Sequence, residues 1–354
     1  IATHQANSIT RSDSEVRAVQ QQPGASAQLD VGGLDHTLHC GKPGTQRPQR
    51  PSQARTNRAR LRYSPTERRR MRFDDQNVDT SSLDDRRGMR GTTIGAGAGG
   101  LGLLGLLFVL LFGGGLSFDD GQSTTTTSQA QDLAIKCAQP GALDQYDDCF
   151  VLKIFNETDE VWTREFRERG SAYEAPRLVF FSGSTQTGCG PATAQTGPFY
   201  CPPDQRVYFD LDFLRQLQSQ FGARGQYAQA YITAHEVGHH IQTITGIEEK
   251  VRRQQQANPR QANALSVRME LQADCIAGVW GRLANDRGNV VITKREYDQA
   301  LRAAAAVGDD RIMQKTQGRV NPEAFTHGSS AQRQEWFARG FNTGDINKCD
   351  TFAS

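Results

Sequence analysis

The chain has 354 residues, enough for one large domain or two small ones, and a formal net charge of only +2. This charge is uneven, because residues 1–70 contain 12 Lys+Arg against 5 Asp+Glu, which leaves −5 for the remainder. Residues 71–354 therefore lack the excess positive charge that nucleic-acid-binding domains carry, and no nucleic-acid partner is expected.

The first 70 residues form a distinct segment, rich in Gln, Arg, Pro, Ser and Gly and with little apolar periodicity. Such a composition buries too little apolar surface to fold alone, so residues 1–70 are predicted to be a disordered basic extension. An Arg-rich run from residue 47 to residue 70 is also compatible with a nucleic-acid- or lipid-binding arm. The disordered tail is the favoured interpretation.

A stretch of 28 residues without a charged side chain, from Gly91 to Phe118, has an apolar centre that reads LGLLGLLFVLLF. Its usable span, residues 93–116, is long enough for a single transmembrane helix, although four glycines weaken its first half. A signal peptide is the alternative, because the strongly apolar centre is short. Three arginines precede the stretch and two aspartates follow it, so the positive-inside rule places residues 71–92 in the cytoplasm.

Six of the seven cysteines follow this apolar stretch, and the seventh, Cys40, lies in the extension. An even set on one side of a membrane is typical of disulfides in an oxidising compartment, with reduced core cysteines as the alternative. Residues 117–131 are predicted to be a Ser/Thr-rich linker, followed by a folded domain over residues 132–354. The expected pairs are Cys137 with Cys149, Cys189 with Cys201, and Cys275 with Cys349.

The domain is expected to be α+β and mainly helical. Apolar residues at near-helical spacing predict a helix within residues 144–168, and short apolar runs predict strands at residues 177–181 and 206–209. Further helical regions are predicted at residues 213–221, 228–243, parts of 248–268, and 294–317.

The helix predicted over residues 228–243 contains the most informative motif of the chain, HEVGH at residues 235–239. His235 and His239 lie one turn apart on one helix face, a spacing that allows two imidazoles to bind a single zinc ion. Glu236 lies about 100° round the helix, within reach of a water on the metal but not a ligand itself. The nearly uncharged flanks favour a buried, partnered carboxylate over a chance occurrence of the motif.

A catalytic zinc ion needs a third protein ligand and an open position for water. The metzincin pattern would place Gly at position 242 and His at position 245, where this chain has Gln242 and Thr245, so that pattern is excluded. His240 points about 100° away from His239, and we expect it to support the site or pack in the core instead of binding the metal.

The favoured third ligand lies in the helix-like run MELQADCIAGVW at residues 269–280. Glu270 and Asp274 share one face of that helix. Glu270 is expected to ligate zinc, and Asp274 to accept a hydrogen bond from the far nitrogen of a ligand histidine. Two surface carboxylates on an amphipathic helix are the alternative, which the apolar neighbours disfavour.

HEVGHHIQTITGI followed by ELQADCIAGVW resembles the bacterial putative neutral zinc metallopeptidase family, whose members are membrane-anchored and of the gluzincin type. Two further blocks, CGPATAQTGPFYCPPDQRVYFDLDF at residues 189–213 and FTHGSSAQRQEWFARGF at residues 325–341, occur in the family's order. The resemblance spans Met71 to the C-terminus and implies a zincin-like metallopeptidase domain. It also implies that the native protein begins at Met71, since the family's start resembles MRFDDQNVDTSS, and that residues 1–70 are dispensable.

The motifs and the resemblance together predict a metallopeptidase, most simply a metalloendopeptidase, that hydrolyses peptide or protein substrates. His235, His239 and Glu270 would hold one Zn²⁺, and Glu236 would act as the general base toward a zinc-activated water. His327 is the first candidate for the donor to the developing oxyanion, with Arg333 second and a structural histidine near a turn as the alternative.

In zinc peptidases of this architecture, an edge strand beside the active-site helix pairs with extended substrate. Residues 177–181 and 206–209 are both candidates for that strand. The predicted location is the bacterial inner membrane, crossed once, with the N-terminus cytoplasmic and the peptidase domain periplasmic. The alternative function is a zinc-stabilised, membrane-tethered binding protein with a vestigial peptidase site, which would have no need of a carboxylate at position 236.

Overall fold

The computed structural model describes residues 71–88, 126–214 and 225–353. The predicted extension over residues 1–70, with Cys40, and the predicted membrane helix over residues 93–116 lie outside the described residues. The same holds for most of the helix predicted at residues 213–221. In the part of the chain that is described, no helix combines the length and the apolar character needed to cross a membrane.

Helices predominate in the described residues, and the predicted α+β, mainly helical fold class is confirmed. The helix predicted within residues 144–168 is interrupted at Tyr146, whose backbone is extended. The helical region predicted at residues 294–317 is present as two helices. The helices are α1 (Thr126–Cys137), α2 (Ala142–Gln145), α3 (Asp147–Glu168), α4 (Gln226–Ile244), α5 (Ile247–Ala257), α6 (Ala262–Arg287), α7 (Lys294–Ala306), α8 (Asp309–Gln317) and α9 (Ser330–Thr343).

The main sheet has four strands, which are β2 (Leu83–Asp85), β3 (Arg177–Phe181), β6 (Phe199–Cys201) and β7 (Arg206–Asp210). Their order in the sheet is β2-β3-β7-β6. Strands β2 and β7 run parallel to β3, whereas β6 runs antiparallel to β7. Two further pairs are β1 (Arg72–Phe73) with β8 (Val290–Val291), and β4 (Ser184–Thr187) with β5 (Gly190–Thr193).

The positions of β3 and β7 show that neither is the edge strand expected to pair with a substrate. Both predicted strands are present, but each has a neighbouring strand on both sides, so neither offers a free edge to a substrate. The edge of this sheet next to β7 is β6, a three-residue strand that ends at Cys201.

The N-terminal described segment, residues 71–88, belongs to the same compact unit as the rest of the described chain. It contributes β1 and β2 to the sheets, and the Met71 side chain is buried. The predicted domain start at residue 132 is corrected accordingly, because the folded unit includes residues 71–88.

The core lies where α6 packs against α4 and α9. The largest fully buried side chains include Trp162, Trp280 and Phe337. At the crossing of α6 and α9, Gly278 and Gly340 each lie directly against the backbone of the other helix. This close approach brings α9 near enough to α6 for its side chains to reach the carboxylates described below.

We expect the substitution Gly340→Ala to destabilise the protein. A Cβ atom at residue 340 would overlap the carbonyl group of Cys275, which is backbone and cannot swing aside. Overpacking of this kind costs about 1–3 kcal/mol or more, against a gain in helix propensity of about 1 kcal/mol. Urea unfolding should therefore show a lower midpoint, and an unchanged midpoint would contradict the backbone contact between α6 and α9.

Three disulfides join elements that are otherwise linked through loops. Cys137–Cys149 ties α1 to α3, and Cys189–Cys201 ties the β4–β5 hairpin to β6. Cys275–Cys349 closes over 74 residues and fastens the C-terminal segment to the middle of α6. The three pairs are those expected from the sequence.

Candidate metal centre and active site

Helix α4 carries the HExxH motif through the core. It begins after Gly225, whose φ is 110°, and Gly246, with φ 73°, makes the turn into α5. Gly238, inside the motif, faces α6 so closely that a Cβ atom there would lie 3.0 Å from the carbonyl oxygen of Ala273. A glycine at this position allows the two helices to approach, and side chains of α4 and α6 therefore meet.

The imidazoles of His235 and His239 and the carboxylate of Glu270 converge on one point. Nε2 of His235 lies 3.3 Å from Oε2 of Glu270, and Nε2 of His239 lies 3.4 Å from Oε1 of Glu270. With one donor atom taken from each residue, the three atoms lie within 4.8 Å of one another, and imidazole nitrogen and carboxylate oxygen are donors that bind zinc. The residues present therefore fit a zinc ion, and three protein ligands leave one tetrahedral position for water or substrate.

The electrostatics of these three side chains also favour a cation. Burial opposes a positive charge on His235, but Asp274 and Glu270 outweigh it and raise the pKa of His235 to about 10. Burial likewise opposes the Glu270 carboxylate, yet the two histidines hold the pKa of Glu270 well below its usual range. A cluster that stabilises positive charge this strongly is suited to a divalent metal ion.

Asp274 orients the first ligand histidine. Its Oδ1 accepts hydrogen bonds from Nδ1 of His235 at 2.9 Å and from the Tyr231 hydroxyl at 2.5 Å. Arg333 donates from Nε to Oδ2 at 2.8 Å and from Nη2 to Oδ1 at 2.9 Å. These bonds compensate the buried carboxylate, and they place the proton of His235 on Nδ1, which leaves Nε2 for a metal.

Arg333 reaches the site because α9 begins shortly before it. Ser329 and Gln332 form a capping box in which the Ser329 hydroxyl accepts from the Gln332 N–H at 3.3 Å and Oε1 of Gln332 accepts from the Ser329 N–H at 2.9 Å. The buried guanidinium lies 3.6 Å from the Glu270 carboxylate. The second candidate for the oxyanion donor is therefore beside the ligands, but its best hydrogen bonds go to Asp274.

Glu236 and His327 line the same cavity as the three ligand side chains. Burial raises the pKa of Glu236, and the two neighbouring histidines partly offset this rise. Nδ1 of His327 lies 3.0 Å from Oδ1 of Asp309. Burial opposes protonation of His327, whereas Asp309 and Glu270 outweigh it and raise the pKa of His327.

Asp309 fixes the loop that carries His327. Its Oδ2 accepts hydrogen bonds from the backbone N–H groups of residues 326, 327 and 328, at 2.7, 2.7 and 3.1 Å. One fully buried carboxylate therefore sets both the loop conformation and the orientation of the imidazole.

The cavity has a volume of about 250 Å³ and a mainly apolar wall. Phe199 and Pro202 line it at the end nearest β6. Ile232, one turn before His235 on α4, lines it together with Val307 and Ile312 from the α7–α8 region. The polar ligand side chains therefore line a cavity whose wall is otherwise mainly apolar.

His240 does not face the metal ligands but ties α4 to the sheet. Its Nε2 lies 2.6 Å from the carbonyl oxygen of Glu174, so Nε2 donates, and Nδ1 accepts from the Tyr200 hydroxyl at 3.1 Å. Burial lowers the pKa of His240, in keeping with the neutral ring that this pattern requires. The side chain links the motif helix directly to β6, which is consistent with the supporting role expected for it.

Behind His240, the Tyr173 hydroxyl donates to Oδ1 of Asp159 at 3.1 Å, and burial raises the pKa of Asp159 from 3.8 to about 7. The folded protein therefore holds this proton more tightly than the unfolded chain. The contribution of Asp159 to the free energy of unfolding should fall as the pH rises from about 4 to about 7 and then level off. Asp159→Asn cannot ionise and still accepts from Tyr173, so we expect it to raise the thermal unfolding midpoint at pH 8 more than at pH 5. An equal shift at both pH values would contradict a proton on Asp159.

Comparison with known proteins shows which family the chain belongs to. Residues 68–352 match the family model described as putative neutral zinc metallopeptidase. The chain belongs to this family. It is 43% identical over 291 residues to YpfJ of Escherichia coli K12, a match that covers 77% of this chain and 96% of YpfJ. It is also 43% identical over 228 residues to Rv2575 of Mycobacterium tuberculosis H37Rv, covering 62% of this chain and 75% of Rv2575. No solved structure matches the chain significantly.

This member of the metallopeptidase family brings the predicted ligands, Glu236, Asp274 and His327 together in one place. Three residues that form hydrogen bonds to these side chains were not predicted from the sequence, namely Tyr231, Gln242 and Asp309. Tyr231 precedes His235 by four residues on α4, and that spacing was an available signal. The link of Asp309 to His327, 18 positions further along the chain, depends on tertiary contact.

Proposed function

We propose that this protein is a zinc-dependent metallopeptidase, and that it acts as an endopeptidase. The observation that carries the proposal is the convergence of two imidazoles and one carboxylate, whose donor atoms lie within 4.8 Å of one another, with a further carboxylate, Glu236, lining the same cavity. A purely structural zinc site has no use for that fourth group. The family description names the same activity and supports the proposal.

His235, His239 and Glu270 would hold the zinc ion, and Asp274 would keep His235 in the tautomer that presents Nε2. When bound, zinc supplies a Lewis acid for the scissile carbonyl and lowers the pKa of a water molecule to about 7. The remaining chemistry belongs to side chains of the chain itself.

Glu236 would move the proton. Its carboxylate lines the cavity beside the ligands, where it would accept a proton from the attacking water and pass it to the nitrogen of the leaving amine. Burial weakens its preference for the charged form, which suits a group that must both take up and release a proton near neutral pH.

His327 would donate a hydrogen bond to the oxygen of the scissile carbonyl as negative charge develops there. Because Nδ1 is held by Asp309, Nε2 is the nitrogen left for the substrate. Arg333 is the weaker candidate, since it donates to both oxygens of Asp274 and to the carbonyl oxygen of Val307.

Strand β6 would bind the backbone of an extended substrate. It pairs with β7 on one side, and on its other side the described sheet has no further strand. Phe199 and Tyr200, both in β6, line the cavity. Backbone pairing gives affinity with little selectivity, and the apolar wall would favour peptides with an apolar side chain near the cleaved bond. Attachment to a bilayer through residues 93–116 stays a prediction from the sequence.

Mass spectrometry of an unfolded polypeptide incubated with the purified protein tests the proposal. We expect internal cleavage, loss of cleavage with a chelator, and recovery on addition of zinc. Stepwise release of terminal residues would overturn the endopeptidase assignment. A protein that holds zinc but cleaves nothing would support the zinc-stabilised binding protein instead.

A further inference from the structure

The second ligand histidine, His239, is connected to the C-terminal segment by an unbroken series of hydrogen bonds. Nδ1 of His239 lies 2.8 Å from Oε1 of Gln242, and Nε2 of Gln242 lies 3.0 Å from Oε1 of Gln272. Nε2 of Gln272 lies 3.1 Å from the carbonyl oxygen of Cys349. We call His239, Gln242, Gln272 and the Cys349 carbonyl the amide relay.

Each bond of the relay has a defined direction. The Cys349 carbonyl can only accept, so the amide nitrogen of Gln272 donates to it and the amide oxygen of Gln272 faces Gln242. Nε2 of Gln242 donates to that oxygen and also to the carbonyl oxygen of Met269 at 2.8 Å. The oxygen of Gln242 is then forced toward His239, which must donate from Nδ1. The ring therefore presents an unprotonated Nε2 toward Glu270, the form that binds a metal.

The C-terminal end of the relay, at Cys349, is held by a disulfide bond. Cys349 is bonded to Cys275, three residues after Gln272 on α6, with a Cα–Cα distance of 5.5 Å. The Thr351 hydroxyl donates to the carbonyl oxygen of Arg268 at 2.8 Å, a second attachment of the same segment to α6. Gln242, Gln272 and Cys349 are all buried, so water does not compete for these bonds.

We propose that the amide relay positions His239 for metal binding, and that the Cys275–Cys349 disulfide acts as its anchor. Gln242 and Gln272 are thus positioning residues, and the disulfide serves the metal centre as well as the fold. The proposal rests on the proposed function in so far as it takes His239 to be a zinc ligand. The proposal also gives Gln242 a role. Gln242 accepts a hydrogen bond from Nδ1 of His239, as Asp274 accepts one from Nδ1 of His235.

Zinc affinity of purified variants, measured by competition with a chelator, tests the relay. Gln272→Met keeps the size of the side chain and removes both of its hydrogen bonds. Because the Met269 carbonyl still accepts from Gln242, we expect the zinc dissociation constant to rise by up to about 10-fold, the lower end of the range for loss of a direct partner of a ligand. Gln255→Met is the matched control, because Gln255 is an equally buried amide that donates to Ala262 and Ser266 and does not touch the relay. Its zinc affinity should equal that of the wild type. Wild-type affinity in Gln272→Met would overturn the proposal.

The anchor is tested by replacing both Cys275 and Cys349 with alanine. We expect weaker zinc binding, whereas the same double replacement at Cys137 and Cys149, a disulfide away from the relay, should leave zinc affinity unchanged. If both double variants lose zinc equally, the disulfide acts on general stability and its anchoring role is refuted. Should the Cys275/Cys349 variant fail to fold, Gln272→Met still decides the role of the relay.

A readout in the metal-free protein separates this inference from the proposed function. ¹⁵N NMR of the histidine rings should show His239 protonated at Nδ1 in the wild type and in Gln255→Met, and a mixture of tautomers in Gln272→Met. The same Nδ1-protonated ring in Gln272→Met would contradict the relay. A wild-type protein with this tautomer but no zinc binding would instead refute the metal centre while leaving the hydrogen-bond series in place.

Discussion

Glu236→Gln is expected to abolish peptide hydrolysis while the protein retains one zinc per chain. The amide has nearly the shape of the carboxylate but cannot accept a proton from the attacking water, and loss of a general base typically lowers rates by about 10²- to 10⁴-fold. Zinc should stay, because the ligands are His235, His239 and Glu270. The measurement is kcat/KM on an unfolded peptide together with zinc content of the same sample.

The matched control for this substitution is Glu248→Gln. Glu248 also lines the cavity, and burial raises its pKa, but it lies on α5 and is not part of the HExxH motif. Its replacement should change kcat/KM by far less than the loss at Glu236. Undiminished hydrolysis by Glu236→Gln would refute the general-base role.

Glu270→Ala is expected to remove the metal and, with it, all activity. Its two carboxylate oxygens lie 3.3 and 3.4 Å from the ring nitrogens of the two histidines, so its loss opens one side of the donor set. Zinc affinity should fall by more than about 100-fold, beyond the range of about 10- to 100-fold found for groups that merely support a ligand. Metal analysis after dialysis against a weak chelator measures this directly.

The comparison with Glu236→Gln makes the Glu270 result specific. Both substitutions remove a buried acid in the same cavity, but only Glu270→Ala should lose zinc. A purified Glu270→Ala protein with stoichiometric zinc would mean that another residue is the third ligand. Far-ultraviolet circular dichroism checks that the variant is folded.

The ligands of the metal centre could be predicted from the sequence, because each pair of site residues is spaced four positions apart within one helix. His235 and His239 share one face of α4, and Glu270 and Asp274 share one face of α6, so helical geometry alone places each pair. The meeting of the two pairs was not contained in those spacings. It depends on the close approach at Gly238 and on the packing of α6 against α4, which the family resemblance implied but periodicity did not.

The features of the site and fold that could not be predicted from the sequence mostly depend on contacts between segments far apart in the chain. In the sequence, Gln242 only excludes the metzincin pattern, and its proposed role requires Gln272 and the C-terminal segment. Strand β6 has three residues in a Gly/Pro-rich stretch, too short for an alternating pattern. The strand pairing of residues 71–88 with residues 177–181 and 290–291 is non-local, and an intervening apolar stretch suggested a boundary instead.

The most direct test of the central claim is a titration of metal-free protein with zinc, followed by hydrolysis of an unfolded peptide. The account predicts no cleavage without metal, a rate that rises linearly with added zinc, and a plateau at one zinc per chain. Cleavage that persists without metal, or its absence in protein that has bound one zinc, would contradict it.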